Sequence, residues 1–296
     1  MSSNELYVVT GASGRTGVAV ANTLLTAGKR VRVIVRDEAK GSAWSNKGAE
    51  VAIADLTDIA ALADAFAGAA GAYIMSPPQY TAENLFERAD MLAAASAEAA
   101  IRAGLPKMVA LSSLGAERPK GIGLIATNRM LEKYLEQTGL PLTSLRASYF
   151  MENWGTLAGA AIHGVLPSFI APIDKKIPMV AAEDIGRTAA EILCEDWNKS
   201  RIVELEGPAM YSPQDVADAF QQALNKSVHA VPVPESEWAQ NLSQTGLSKT
   251  AITGFIEMTK ALNAGNLAFV NAPNIEHRKG TITLDSVIAA ITAHQN

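Results

Sequence analysis

An α/β fold built on a doubly wound parallel sheet, with a smaller non-contiguous lobe from the C-terminal half, is what this 296-residue sequence predicts. Three observations carry that expectation. The first half alternates short β-rich runs with longer Ala/Leu-periodic stretches, the rhythm of repeated β-α units. Each helical stretch is followed within a few residues by glycine, as in Ala27-Gly28, Ala67-Gly68, Ala103-Gly104 and Thr138-Gly139, which suits a cap that turns the chain back to the next strand. The first strand also runs directly into Gly11-Ala12-Ser13-Gly14-Arg15-Thr16-Gly17 and then into a helix.

The elements follow in order. Leu6-Tyr7-Val8-Val9 opens a strand over 6–10, and the small apolar stretch behind the glycines reads as a helix over 14–27. Strands are expected over 30–35, 50–54, 71–74, 107–111 and 142–146, with helices between them over 59–67, 84–103 and 124–138. Past residue 150 the alternation weakens. A strand end and helix over 178–193, a strand over 201–206, and a helix over 212–224 opened by Ser212-Pro213 are able to return to the same sheet. Segments 155–176 and 228–296 carry Pro, Gly, Trp and Met without the β-α rhythm and are expected to form the substrate lobe. Segments 1–154 and 177–227 make up a Rossmann-type core. Ligands of such sheets bind outside the carboxyl ends of the strands, so the crevice between sheet and lobe is the expected site.

Composition excludes several function classes. A net charge of −5 with acidic and basic residues interleaved leaves no basic stripe for direct nucleic-acid binding. The single cysteine, Cys194, cannot form an internal disulfide, and the start Met-Ser-Ser-Asn-Glu lacks the charged and apolar regions of a signal peptide, so a cytoplasmic location is expected. The longest apolar stretch, 155–173, is broken by His163, Pro167 and Pro172 and reads as a buried irregular segment, with no membrane association. His163, His229, His277 and His294 show no metal-ligand spacing, and no metal is expected.

A pyrophosphate can lie against a strand-to-helix turn only where backbone N–H groups face it without Cβ atoms in the way, and the helix N-terminus adds about half a positive charge. Gly11, Gly14 and Gly17, with Ser13, Arg15 and Thr16 among them, have that placement, in GxxGxxG rather than GxGxxG spacing. A plain capped turn also selects glycine and serine, but the strand before and helix after favour a dinucleotide. The second strand ends Ile34-Val35-Arg36-Asp37. An arginine there accommodates a 2′-phosphate and an acidic residue the ribose hydroxyls. Arg36, aided by Arg15 and Lys40, points to NADP(H) in preference to NAD(H), with Asp37 as ribose ligand the other reading. Asp55 suits the adenine amino group and Leu56 the ring, although Asp55 is equally placed to cap the following helix. Met75-Ser76-Pro77-Pro78 and Ser112-Ser113-Leu114-Gly115 are short turns at the carboxyl edge, where ribose and nicotinamide belong.

Gly-Ala-Ser-Gly-Arg-Thr-Gly, Val-Ile-Val-Arg-Asp, Ala-Asp-Leu-Thr-Asp, Val-Ala-Leu-Ser-Ser, the run from Thr138 to Arg146 with Tyr149-Phe150-Met151-Glu152-Asn153, and the run from Val180 to Arg187 occur in that order. Together, over roughly residues 5–235, they resemble the NmrA-like family of atypical short-chain dehydrogenases/reductases, including its NADPH-dependent quinone oxidoreductase branch. The resemblance implies the family's fold, its dinucleotide site, and a substrate cleft near Phe150-Met151-Glu152-Asn153. It also implies roles: phosphate turn for Gly11 to Gly17, 2′-phosphate for Arg36, adenine side for Asp55 and Leu56, nicotinamide side for Ser76, Pro77 and Ser112.

Carbonyl-reducing short-chain dehydrogenases use a Tyr-xxx-Lys pair, in which the lysine lowers the tyrosine pKa so that it protonates the developing alkoxide. Here the residues four after Tyr7, Tyr73, Tyr80, Tyr134, Tyr149 and Tyr211 are Gly11, Pro77, Asn84, Thr138, Asn153 and Asp215. The lysine that some relatives carry four residues before the position of Glu132 is Asn128, and Arg129 faces about 100° away and stays charged. Unassisted ketone reduction is therefore disfavoured. Hydride added to a quinone delocalises into a hydroquinone anion that solvent can protonate, so positioning is enough. Tyr149, Asn153 and Trp154 are the candidates for lining the acceptor site, followed by Tyr80 and Phe169; core packing is the other reading of the aromatics, Phe150 and Phe169 above all. Two functions are expected in that order: an NADPH-dependent reductase of a quinone or similar conjugated acceptor, or a non-catalytic NAD(P)-binding redox sensor acting through a protein partner, as the regulatory NmrA branch implies.

Overall fold

The computed structural model describes residues 5–270 and 272–293. Strands β1 (Leu6–Val9), β2 (Arg30–Val35), β3 (Glu50–Ile53), β4 (Gly71–Ile74), β5 (Met108–Ser113) and β6 (Leu142–Ala147) alternate with helices α1 (Arg15–Thr26), α2 (Glu38–Ser45), α3 (Ile59–Phe66), α4 (Leu85–Ala103) and α5 (Ala126–Gln137). The second half adds β7 (Tyr149–Phe150), α6 (Ala158–Ile162), β8 (Val165–Ser168), β9 (Ile177–Val180), α7 (Ala182–Cys194), β10 (Arg201–Glu206), β11 (Met210–Tyr211), α8 (Pro213–Leu224), β12 (His229–Pro232), α9 (Trp238–Ser243), α10 (Lys249–Asn263), β13 (Ile275–Lys279) and α11 (Leu284–Ala293). Eight strands form a parallel sheet in the order β13-β10-β6-β5-β4-β1-β2-β3. This is a Rossmann-type α/β fold.

Helices cover both faces of the sheet, which is why its strands read as continuous apolar runs. Tyr7, Val9, Val33, Tyr73 and Val109 pack with α1 and α7, while the alternate residues Val8, Ile34, Ala72, Ile74 and Ala110 pack with α3, α4 and α5. A separate core of Met151, Trp154, Leu166, Met179, Phe220 and Ile288 holds the smaller lobe together.

Several segments differ from their sequence-based placement. Helix α2 was not expected at all: only Gly41 and Trp44 of its eight residues are buried, leaving no apolar periodicity to read. Asp37 caps it by accepting from the Lys40 N–H at 3.0 Å, and Trp44 Nε1 donates to Ala12 O at 3.2 Å, tying α2 to the glycine turn. Strand β13, Ile-Glu-His-Arg-Lys, lies within the segment expected to be lobe, yet pairs with β10 at the sheet edge; an edge strand rich in charge carries little hydrophobic signal. Strand β9 leaves the large sheet and pairs with β7 and β11. Helix α8 opens as its Ser-Pro start implies, through a Ser212/Asp215 capping box, but buries Val216 and Phe220 in the lobe.

Two buried ionic arrangements fix the frame. Glu132 of α5 and Arg146 of β6 form a bidentate pair at 2.9 and 2.8 Å, so the glutamate flagged by its spacing to Asn128 is tied into the sheet. Asp184, fully buried near the start of α7, accepts from Arg187 and from the Thr281 and Ile282 N–H groups, the latter two at 2.9 Å each. That carboxylate joins a core helix to the segment entering α11. Replacing Asp184 with Ala removes a buried acceptor and leaves the partly buried Thr281 and Ile282 N–H groups without it, and the expected loss is about 3 kcal/mol, read as a lower urea midpoint.

Glu204 of β10 is also buried; it accepts from the Val270 N–H at 3.1 Å and lies 3.5 Å from His277 Nδ1. Burial pushes its pKa up, against the lowering effects of that N–H, His277 and Arg146. A raised folded pKa means that the folded state holds the proton more tightly than the unfolded chain, so the group favours folding at low pH and this contribution is lost as pH rises from the ordinary glutamate value through the folded one. Glu204→Gln is therefore expected to gain stability relative to the native protein progressively above that ordinary value, seen in urea midpoints measured across the acidic range.

Candidate functional site

Strand β1 lies between β2 and β4. The chain winds outward from β1 to β3 on one side and returns to β4 on the other, so the turns after β1 and β4 diverge and open a crevice at the carboxyl edge. The turn after β1 is the glycine segment. Gly11 has φ +66°, and a Cβ on Gly17 would lie 2.2 Å from Gly11 O, so these two glycines shape the turn itself. Gly14 is different: a Cβ there would meet only Gly11 O, at 3.4 Å. It is exposed, occupies the N-cap of α1 and supplies no side chain to the first-turn N–H groups, which remain available to an anion. Ser13 and Arg15 are exposed beside it. Thr16 is buried, its Oγ1 accepting from Tyr73 Oη at 2.9 Å.

Beyond the turn, the ends of β2 and β3 carry Arg36 and Asp55. Arg36 is exposed and makes no hydrogen bond or ion pair among the described residues. Asp37 is committed to capping α2, and Lys40 Nζ sits 3.4 Å from its carboxylate, so Lys40 is partly neutralised. Asp55 Oδ1 accepts from Thr57 N and Oγ1 at 2.9 and 2.6 Å, and these bonds hold its pKa below the usual carboxylate range. The cap of α3 is Asp58, which accepts from Ala60 and Ala61 N–H, so the capping reading of Asp55 does not hold. Leu56 is partly exposed and packs against the α3/α4 core.

On the other side of the switch point, a cavity of about 490 Å³ opens between the sheet and the lobe. It brings together Gly14, Arg15, Thr16, Ser76, Pro77 and Ser112 with Tyr80, Tyr149 and Asn153. Its remaining wall is mostly apolar, including Met75, Leu111, Leu124, Met258, Leu262 and Leu267. Arg36, Lys40, Asp55 and Leu56 stand outside this cavity, along the strand ends. Trp154, expected to line it, is instead 3% exposed in the lobe core, its ring centroid 6.0 Å behind that of Tyr149. Phe169 packs edge-on against Trp238 and Phe255 in the lobe, following the packing reading. Residues the sequence reading passed over, the α10 side chains and Leu267, join the wall by tertiary folding; nothing in their spacing marks them. A wider depression of about 560 Å³ lies between α3, α4 and α5 around Met91, Ile101 and Tyr134, remote from the strand ends and from the glycine turn.

The chemistry of the cavity follows from its groups. Burial pushes the Tyr149 hydroxyl up to about 12, with a smaller opposing effect from Asn153. Asn128 lines the wall where a lysine would be needed to reverse that shift, and the Arg129 guanidinium is turned away to Ala116 O and Glu117 O at 2.8 and 3.0 Å. Tyr149 is therefore a weaker acid than the lysine-assisted tyrosine of a Tyr-xxx-Lys pair, which disfavours carbonyl reduction by that route. A nicotinamide dinucleotide fits the arrangement: an open helix N-terminus for the pyrophosphate, free Arg36 for a 2′-phosphate, and buried, unpartnered Ser112 Oγ at the far end.

Comparison with known proteins places this geometry in a family. The model of the NmrA-like family matches residues 3–281. Quinone oxidoreductase 2 of Escherichia coli K12 is 28% identical over 245 residues, 82% of each chain, and the NAD(P)H azoreductase of Xenophilus azovorans is 23% identical over 256 residues, 86% of each. The solved structure of the Escherichia coli NADPH-dependent quinone oxidoreductase complexed with NADPH superposes with a TM-score of 0.80 at 25% identity, covering 98% of this chain and 100% of that one. The chain belongs to the NmrA-like family.

Proposed function

We propose that this protein is an oxidoreductase that binds NADP(H) along the glycine turn and the β2 end and reduces a quinone or similar conjugated acceptor. One observation carries the reading: the glycine turn opens directly into a mostly apolar cavity whose described lining holds no lysine to lower the pKa of Tyr149. The NADPH-bound quinone oxidoreductase and the azoreductase among its relatives support it.

Bound NADPH would supply a hydride. The first turn of α1, with Arg15, would hold its pyrophosphate, and Arg36 its 2′-phosphate. Ser76, Pro77 and Ser112 would border its reactive end. Tyr149, Asn153 and Tyr80 would position a planar acceptor, and Met75, Met258, Leu262 and Leu267 would exclude water from it. Burial pushes the Tyr149 hydroxyl up to about 12, above the ordinary phenol value of about 10, so it is a poorer acid than a hydroquinone, and the proton of the reduced acceptor would come by equilibration with bulk solvent.

Two outcomes are expected. Arg36→Ala should weaken NADPH about ten- to hundredfold while leaving NADH nearly unchanged, since only NADPH loses a charge-assisted contact; titration calorimetry with both cofactors checks this, and equal native affinities would refute the preference. NADPH consumption is expected with quinones and negligible with simple ketones and aldehydes, and Tyr149→Phe should raise KM with little change in kcat. Tight NADPH binding without turnover of any quinone would favour a sensor acting through a protein partner.

A further inference from the structure

One hydroxyl pair links the sheet interior to the glycine turn and has no part in the chemistry described above. Tyr73 of β4 is fully buried, packed on the α1 and α7 side of the sheet beside Val9 of β1, its partner in register. Tyr73 Oη donates to Thr16 Oγ1 at 2.9 Å. Thr16 stands in the first turn of α1 and lines the cavity together with Gly14 and Arg15. Next to this pair the ends of β1 and β4 are locked to each other: Thr10 N–H donates to Tyr73 O and Met75 N–H to Thr10 Oγ1, both at 3.0 Å. The phenol is thus held at a fixed place behind the turn.

A hydroxyl gives one hydrogen and accepts through its oxygen. Burial pushes the Tyr73 pKa up, with a smaller opposing effect from Thr16, so Tyr73 stays a phenol and acts as the donor. With its oxygen accepting from Tyr73, Thr16 keeps its own hydrogen, which goes to no acceptor among the described residues. Helical hydroxyls elsewhere in the chain spend theirs on a carbonyl three or four residues back: Thr127 on Leu124 O at 2.9 Å, Ser96 on Leu92 O and Thr259 on Phe255 O at 2.8 Å each. The carbonyl four residues before Thr16, Ala12 O, receives Trp44 Nε1 instead, at 3.2 Å. The unspent hydrogen therefore belongs to the same turn as the uncapped N–H groups of α1, where an anion is favoured.

We propose that Tyr73 is a positioning residue for the dinucleotide: by engaging the Thr16 oxygen from the sheet side, it presents the Thr16 hydroxyl hydrogen to the pyrophosphate. The inference rests on the dinucleotide reading above and adds to it a fully buried residue of β4 that is outside the cavity lining. Without the phenol, Thr16 is free to rotate and to satisfy itself on the backbone of the turn, and the anion loses a charge-assisted hydrogen bond. The pair has no part in holding the 2′-phosphate, which falls to Arg36 at the β2 end. Affinity for the two phosphate groups is therefore separable by mutation.

The test is calorimetric binding of NADP⁺ and of adenosine 2′-monophosphate, which carries the 2′-phosphate without a pyrophosphate. Thr16→Val is expected to raise the NADP⁺ Kd about tenfold and Tyr73→Phe about threefold, with the double variant no weaker than Thr16→Val alone. Thr16→Ser, which keeps the hydroxyl, should bind NADP⁺ as the native protein does, and the adenosine 2′-monophosphate Kd should stay the same in every variant. The proposal is overturned by an unchanged NADP⁺ Kd in Tyr73→Phe, by an equal loss for adenosine 2′-monophosphate, by losses that multiply in the double variant, or by a Thr16→Ser protein as weak as Thr16→Val. A native protein that does not bind NADP⁺ overturns the dinucleotide reading and this inference together. Native NADP⁺ binding with any of the other failures overturns the inference alone.

Discussion

Backbone-to-backbone approach around α1 is the constraint on which the rest of this structure depends. Gly17 brings the helix against the Gly11 carbonyl, and Gly186 of α7 brings a second helix against it, since a Cβ there would fall 2.3 Å from Ala19 Cβ and 2.8 Å from Thr16 O. Two residues before Gly186, Asp184 grips the 281–282 backbone, and Gly280 leaves room for that carboxylate, which a Cβ would meet at 2.2 Å. Glycine turn, α1, α7 and the entry to α11 are thus one mechanical chain. The lobe is fastened to the same helix whose N-terminus faces the crevice.

Charge along the carboxyl edge is distributed unevenly. Lys40 and Asp37 are exposed and largely answer one another, a pairing worth little in water. Asp55 is folded onto Thr57 by short hydrogen bonds. Arg36 is left without a partner among the described residues, and the N-terminus of α1 keeps its partial charge uncapped. An anionic ligand spanning the β1 and β2 ends would meet these two features without having to displace a protein carboxylate from either.

The buried ions serve a different purpose from the open ones. Glu132 and Arg146 close α5 against β6 far more tightly than an exposed pair could, because breaking one partner strands the other in the interior. This fixes the helix that carries Asn128 and Thr127 in the cavity wall. The wall itself is then mostly apolar and weakly acidic: Tyr149 is desolvated, no lysine lines the cavity among the described residues, and Arg129 is spent on carbonyls. Such a wall suits an acceptor that stabilises its own added charge.

The sequence by itself determined the sheet and its glycine turn, because β-α periodicity, the glycines after the helices and the residue types at the β2 and β3 ends are local signals that need no partner to be read. It also showed the absence of a Tyr-xxx-Lys pair, which is a matter of spacing alone. Tertiary structure decided what distance along the chain conceals: that Trp44 supports the glycine turn from a helix with almost no apolar face, that a charged segment near residue 275 closes the sheet edge, and that Asp58 rather than Asp55 caps α3. It also decided the cavity. Met258, Leu262 and Leu267 share a cavity with Ser112 and Tyr149 only because α10 packs across the fold, and Trp154 withdraws into the lobe because it and the cavity-lining Asn153, adjacent on the short turn over Met151–Leu157, face different environments. Side chains gathered from remote parts of the chain carry no spacing that marks them as neighbours, and their shared site exists only once burial has brought them together.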